Sequence, residues 1–346
     1  MNLIRNIYST LRTWVFKKKL LRFSSRFKRD PQACFYCPEM CRFSCPVSET
    51  LRDNSVTPRG KMSLLHLRER GFDSEKSTGS DDLTLWYLNQ CTSCGRCTEY
   101  CVHEVDVATN LMEERRFYHQ KNRNFTEKIR TWELSMKVAS FVLFCENDRK
   151  SWWLEKEDLL SELGNPDVIE GRFPTIDWMN GRLSDDEIKK IADSLSQIKH
   201  VLLESSELGW FFADALVKNG YRGKIEFVWQ RFFSKMLEFE FSTEEVFHES
   251  SFFSRTLPRL GYSIPMFERG AMPFHHGWSC FDCGGEGFYK YENKQAAEKM
   301  RDRFLEDLNK DGSKRKRIIC QSLSCAEHLK QTDLDVVYWL DRLGAL

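Results

Sequence analysis

Two combs of cysteine near the start of the chain carry its most legible chemistry. Cys34, Cys37, Cys41 and Cys45 are separated by two, three and three residues, and Pro46 follows at once. Cys91, Cys94, Cys97 and Cys101 are separated by two, two and three. Thiolates spaced so closely can converge on one polynuclear centre, and soft sulfur suits iron in such a centre. Three near cysteines hold three corners of a 4Fe–4S cube, and the fourth reaches across to the other cube. The crossed pattern gives one cube Cys34, Cys37, Cys41 and Cys101, and the other Cys91, Cys94, Cys97 and Cys45. Structural zinc also favours Cys-x2-Cys, but it takes its four ligands as two pairs, whereas each comb offers three cysteines and one offset. The chemistry expected is electron transfer through two 4Fe–4S clusters.

A second set lies far downstream. Cys280, Cys283, Cys320 and Cys325 each precede or begin an expected helix, so their loops could meet at the carboxyl edge of a parallel sheet, where open α/β sheets place ligands. Three readings stand side by side: a third 4Fe–4S cluster or a zinc ion, a redox-active dithiol, or small apolar packing with no ligand. His275, His276 and His328 are close enough in sequence to join a zinc site. Cys145 stands alone at the end of an apolar run and reads as a core residue. The run Gly284-Gly285-Glu286-Gly287 fits neither dinucleotide nor P-loop spacing. No flavin or nicotinamide signature and no acid–base or nucleophile set is evident.

These residues need elements to hold them. The 346-residue chain balances 52 basic against 51 acidic side chains, which gives no reason to expect a nucleic acid or other polyanionic partner. No apolar run approaches the roughly 20 residues that span a bilayer. Thirteen cysteines without a recognisable export signal point to a reducing compartment and to metal or redox use rather than disulfides. Residues 1–30 read as a basic amphipathic helix, with nine cationic side chains against Asp30, able to lie on an anionic membrane surface or on a partner. Residues 31–120 read as helices and loops around the combs, and 119–130 as a polar linker. Beyond about 135, apolar runs alternate with helical patterns: strands at 138–145, 201–203, 224–229, 318–319 and 336–338, and helices at 184–195, 208–217, 292–309 and 324–330. Ser184 and Glu187 have capping-box spacing. The alternation predicts parallel α/β units.

The segments Cys45-Pro46 through Thr57-Pro58-Arg59-Gly60-Lys61, and Leu88-Asn89-Gln90-Cys91 through Cys101 to Leu111 and Arg115, resemble the iron–sulfur subunits of the heterodisulfide reductase, glycolate oxidase and anaerobic glycerol-3-phosphate dehydrogenase group. More loosely, His248-Glu249-Ser250-Ser251, Asp282-Cys283-Gly284 and Ser322-Leu323-Ser324-Cys325 resemble the cysteine-rich CCG domains of that group, with Ser251, Asp282 and Ser322 standing where it has cysteine. The resemblance implies an α+β multidomain chain: an α-helical two-cluster ferredoxin domain at 31–120, and CCG-like α/β lobes at 135–235 and 236–346. It also implies a non-catalytic iron–sulfur subunit of an oxidoreductase complex, relaying electrons between a flavoprotein dehydrogenase and another acceptor. The expected place is the cytoplasm, or the inner face of the membrane through residues 1–30. A thiol/disulfide reductase working at Cys280, Cys283, Cys320 and Cys325 is the alternative, although serine is a poor replacement for a soft iron ligand.

Overall fold

Proline sets the helices around the first comb. A computed structural model describes residues 31–39, 41–71, 80–121, 140–145, 149–170, 173–238, 241–242, 244–265, 282–287, 289–308 and 315–344. Helices α1 (Pro31–Tyr36), α2 (Pro46–Leu51) and α3 (Pro58–Glu69) each open on a proline, whose fixed φ suits the first turn and whose missing N–H costs nothing there. Thr57 caps α3 by accepting a hydrogen bond from the Gly60 amide at 3.0 Å. Arg52, in the left-handed region at φ 53°, ends α2. Helices α4 (Ser80–Asn89), α5 (Arg96–Glu99) and α6 (Val107–Lys121) flank and follow the second comb. The segment at 119–121, expected to be linker, therefore still belongs to α6. Residues 1–30 and 122–139 lie outside the described residues.

The remainder is built on two parallel sheets. Strands β1 (Phe141–Cys145), β2 (Asp167–Glu170), β3 (His200–Leu203) and β4 (Lys224–Phe227) form the first, in the order β2-β1-β3-β4. Strands β5 (Glu245–His248), β6 (Arg317–Cys320) and β7 (Asp335–Tyr338) form the second, in sequence order. Helices follow the strands, including α7 (Lys150–Glu155), α8 (Asp185–Ser194), α9 (Ser206–Trp210), α10 (Val228–Leu237), α11 (Lys294–Leu308), α12 (Leu323–Leu329) and α13 (Trp339–Leu343). The capping box on α8 forms as its spacing predicts, with Ser184 and Glu187 bonded in both directions. Mixed helix and parallel sheet is thus the architecture, in keeping with the α+β expectation at that level.

Two local expectations are corrected. The strand foreseen over 224–229 stops at Phe227, because the Gln230 side chain accepts the Phe227 amide at 3.1 Å and starts α10. Trp229 therefore sits in a helix, donating to the Pro265 carbonyl at 2.7 Å and meeting Trp339 edge to face at 4.8 Å. The helix foreseen over 208–217 forms, but Phe211–Leu216 is wound as a π-helix, and Phe252–Thr256 after β5 repeats that form. Strands β2 and β5 escaped the sequence pattern. Each holds only a two-residue apolar pair, Val168-Ile169 or Val246-Phe247, with ionisable side chains at both ends.

One apolar core runs through both sheets, from Leu143 and Leu202 to Phe247 and Ile319. The comb-bearing helices pack on it through specific contacts. Asn293 accepts from Gln90 at 2.8 Å and donates to the Asn89 carbonyl at 2.9 Å. Arg255 pairs with Glu99 and Arg259 with Asp106, each at 3.2 Å. Gly181, at φ +76°, lets its backbone approach α6: a Cβ there would lie 2.4 Å from the backbone nitrogen of Arg116. Gly181→Ala is expected to destabilise the fold by more than about 1 kcal/mol, combining the φ penalty with the clash. A thermal midpoint equal to that of the wild type would show that α6 is not seated as described.

Candidate metal centres

The combs fold into loops bent by unusual backbone angles. Glu39, Ser93 and Glu104 are non-glycine residues at φ 64°, 59° and 56°, and Gly95 lies at φ 75°. Such bends turn peptide N–H groups toward sulfur. The Ser93 amide points at Cys91 Sγ at 3.4 Å, and the Val105 amide at Cys101 Sγ at 3.3 Å. Hydrogen bonds of this kind steady a thiolate and tune any iron it binds.

The eight sulfurs line two neighbouring recesses. One, of about 350 Å³ with its open mouth included, is lined by Cys34, Cys37, Cys41 and Cys101. The other, of about 330 Å³ on the same measure, is lined by Cys45, Cys91, Cys94 and Cys97. Each recess draws three cysteines from one comb and one from the other. Their settings differ. Cys37, Cys41 and Cys101 are half-buried, whereas all four sulfurs of the second recess belong to buried residues. His103 and Glu104 are exposed beside the first recess.

Electrostatics show that these thiols are not at rest as a set of ordinary side chains. Burial, with Cys45, Cys101 and Cys37 adding to it, pushes the Cys41 thiol up to about 12. Burial and the nearby Asp282 push Cys94 up to about 12 against the pull of Arg255. Cys97 is raised well above its ordinary value, by burial first and then by Cys41, Cys91, Cys94 and Cys45. A polycationic iron–sulfur core removes that conflict by taking the protons' place, and so the donor set fits two 4Fe–4S clusters. Fixed cations already lean toward the inner recess. Lys61, 1 % exposed, donates to the Gln90 carbonyl at 2.8 Å. Arg115, wholly buried, donates to the carbonyls of Leu88 and Cys91 at 3.3 and 3.1 Å and to Ser93 Oγ at 2.8 Å. Sequence reasoning missed both roles, since nothing local marks a lysine or arginine as buried.

The downstream residues gather differently. Cys280, His275 and His276 lie outside the described residues. Cys283 and Cys325 come together with His248, and their ligand atoms all lie within 4.8 Å of one another. Cys320 is buried at the end of β6, beside His248 in strand register, but it is not part of that trio. His328 instead sets its Nε2 at 3.2 Å from the Ala297 carbonyl. Next to the trio, Glu286 is buried with its carboxyl pushed up to about 8, by burial first and then by Glu207 and Asp282. It accepts hydrogen bonds from the Ser206 and Ser250 hydroxyls and from the Ser251 amide. Serine thus serves a carboxyl group at the carboxyl ends of both sheets. Cys145, at the end of β1, is fully buried and its thiol is pushed up to about 12, chiefly by burial. The Arg149–Glu204 ion pair, at 3.1 Å, lies near it, and Trp153 Nε1 donates to the same carboxylate at 2.9 Å.

Arg115→Met is expected to cost at least about 2 kcal/mol, because it strips a charged donor from two carbonyls and a hydroxyl beside the inner recess. Thermal unfolding checks this, and an unchanged midpoint would remove Arg115 from the support of that loop.

No curated protein and no solved structure matches the chain. Residues 30–105 do match the model of the 4Fe-4S dicluster domain family, which marks this stretch as a cysteine-rich iron–sulfur electron-transfer domain.

Proposed function

We propose that the protein is the electron-relay subunit of an oxidoreductase complex. Cys34, Cys37, Cys41 and Cys101 would hold one 4Fe–4S cluster, and Cys91, Cys94, Cys97 and Cys45 the other. The observation that carries this reading is the pair of adjacent four-cysteine recesses, one with three half-buried cysteines and the other with four buried ones. When bound, such clusters supply one-electron transfer at potentials set by charge, hydrogen bonding and solvent access. The chain's own part is to grade those factors. Three cysteines of the outer recess are half-buried, whereas those of the inner one are buried, with Lys61 in its wall and Arg115 bonded to the Cys91 carbonyl behind it.

A docking edge supports the relay role. The loops of the outer recess expose Tyr36 at 69 %, Phe43 at 78 % and Val102 at 66 %. Apolar side chains this exposed suit contact with a partner that must bring its own redox group close. The two-electron chemistry belongs to that partner, for which a flavoprotein dehydrogenase is the natural class. The kinship of the sheet-bearing half with CCG-type lobes is part of the same proposal. It is supported by the two parallel sheets and by the serines that meet Glu286 at their carboxyl ends. No helix among the described residues is long and apolar enough to cross a membrane.

Anaerobically purified protein is expected to contain about eight irons and to give reduced-cluster paramagnetic resonance signals after dithionite. Zinc in place of iron in both recesses would sink the proposal. The crossed ligation makes a sharper forecast. Cys45→Ser should perturb the same signal as Cys94→Ser, and Cys101→Ser the same signal as Cys37→Ser, despite their places in opposite combs. If the signals sort by comb instead, the ligand sets are wrong.

A further inference from the structure

The structure assigns His248, Cys283 and Cys325 to a mononuclear metal site that takes a divalent ion of the zinc class. The site is separate from the two recesses of the combs and does not rest on the relay reading. Its residues come from three places in the second sheet's half: the end of β5, the loop 282–287, and the first turn of α12. Neighbours in sequence do not explain their meeting. The parallel register that sets His248 beside Cys320 brings the end of β5 to the start of the β6–α12 turn, and α12 then offers Cys325.

Three arguments point to a metal. The first is distance: one donor atom from each residue lies within 4.8 Å of the other two. Donors bound tetrahedrally to zinc, at about 2.0–2.3 Å from it, stand roughly 3.5–3.8 Å apart, so a small closing movement seats the ion. The second is enclosure. His248, Cys283 and Cys325 are 4 %, 0 % and 1 % exposed, which suits a closed site. The third is the donor set itself, two cysteine sulfurs and an imidazole, the kinds of ligand that zinc-class ions prefer.

The surroundings act as supports. The Gly285 amide points at Cys283 Sγ at 3.4 Å, and the His248 ring packs against Phe304 at a centroid distance of 4.7 Å. Both fix donor direction, as the outer shell of a metal site does. Asp282 and Cys320 are buried near Cys283 but outside the trio, so a fourth ligand would come from one of them after a small movement or from water. Binding would release thiol protons to solvent.

Metal analysis of the full-length, anaerobically purified protein tests the site. About one zinc per chain is expected in addition to the cluster iron. His248→Ala and Cys325→Ser should each bring zinc close to zero while leaving the iron content and the reduced-cluster signals unchanged. Cobalt-loaded wild-type protein should show a tetrahedral ligand-field spectrum with sulfur-to-cobalt charge transfer, a readout that survives if the variants fail to fold. The inference is overturned by wild-type protein with no zinc-class ion, by iron near twelve per chain, or by a sulfur-free cobalt spectrum. A Cys283–Cys325 disulfide in the anaerobic protein, or variants that keep their zinc, would overturn it too. Zinc retained at one per chain in protein lacking iron would support this site and sink the relay reading instead.

Discussion

Repulsion among buried sulfurs is the constraint on which the comb-bearing part depends. Two like charges about 4 Å apart repel by roughly 4 kcal/mol even at an effective dielectric near 20. A chain that gathers eight cysteines into two adjoining recesses cannot let them ionise together without a counter-charge. The pressure shows in Cys41, Cys94 and Cys97, whose thiols are all pushed upward by burial and, in Cys41 and Cys97, by neighbouring cysteines as well. Lys61 and Arg115 provide fixed positive charge at the inner recess, and the left-handed bends at Ser93 and Gly95 supply directed N–H groups. None of these would repay its cost around empty thiols. Together they are the surroundings an iron–sulfur core requires.

The two sheets obey a related rule. A parallel sheet gathers its strand ends at one edge, and helix termini and loops there can converge on a ligand. At the first sheet that edge holds the Arg149–Glu204 ion pair, with Trp153 bonded to the same carboxylate. At the second it holds His248, Cys283 and Cys325. Between them Glu286 binds serines from both strand-to-helix turns, Ser206 after β3 and Ser250 after β5. One carboxyl therefore ties the two edges together. A group raised to about 8 makes that tie as a neutral acid through much of the ordinary pH range.

What the sequence disclosed follows from range. Comb spacings are local, and they pointed to the three neighbouring cysteines of each recess because the fold of a short loop decides where its sulfurs go, whereas the fourth, Cys101 or Cys45, comes from the other comb. The capping box at Ser184 and Glu187 was legible for the same reason. The burial of Arg115 was not, since it depends on α6 lying against the loop of the second comb, more than twenty residues away in sequence. His248 escaped as a donor because Cys283 and Cys325 reach it from a loop and a helix far along the chain. The end of β4 was lost to a side chain, Gln230, that reaches back to cap a helix through residues of high strand propensity. Trp229 and Phe232 face the core either way, so burial alone could not choose between strand and helix.

Each recess takes sulfur from both combs, and this has a topological consequence. Cys45 and Cys91 line the same recess, so the chain between them leaves that recess and returns to it, as a loop pinned at its base. Closing a long loop costs the unfolded chain entropy that grows only slowly with length. A double clasp of this kind makes the two halves of the unit behave as a single mechanical object once both centres are filled. A cut in the connecting loop would then leave two fragments that stay joined, held by metal rather than by peptide.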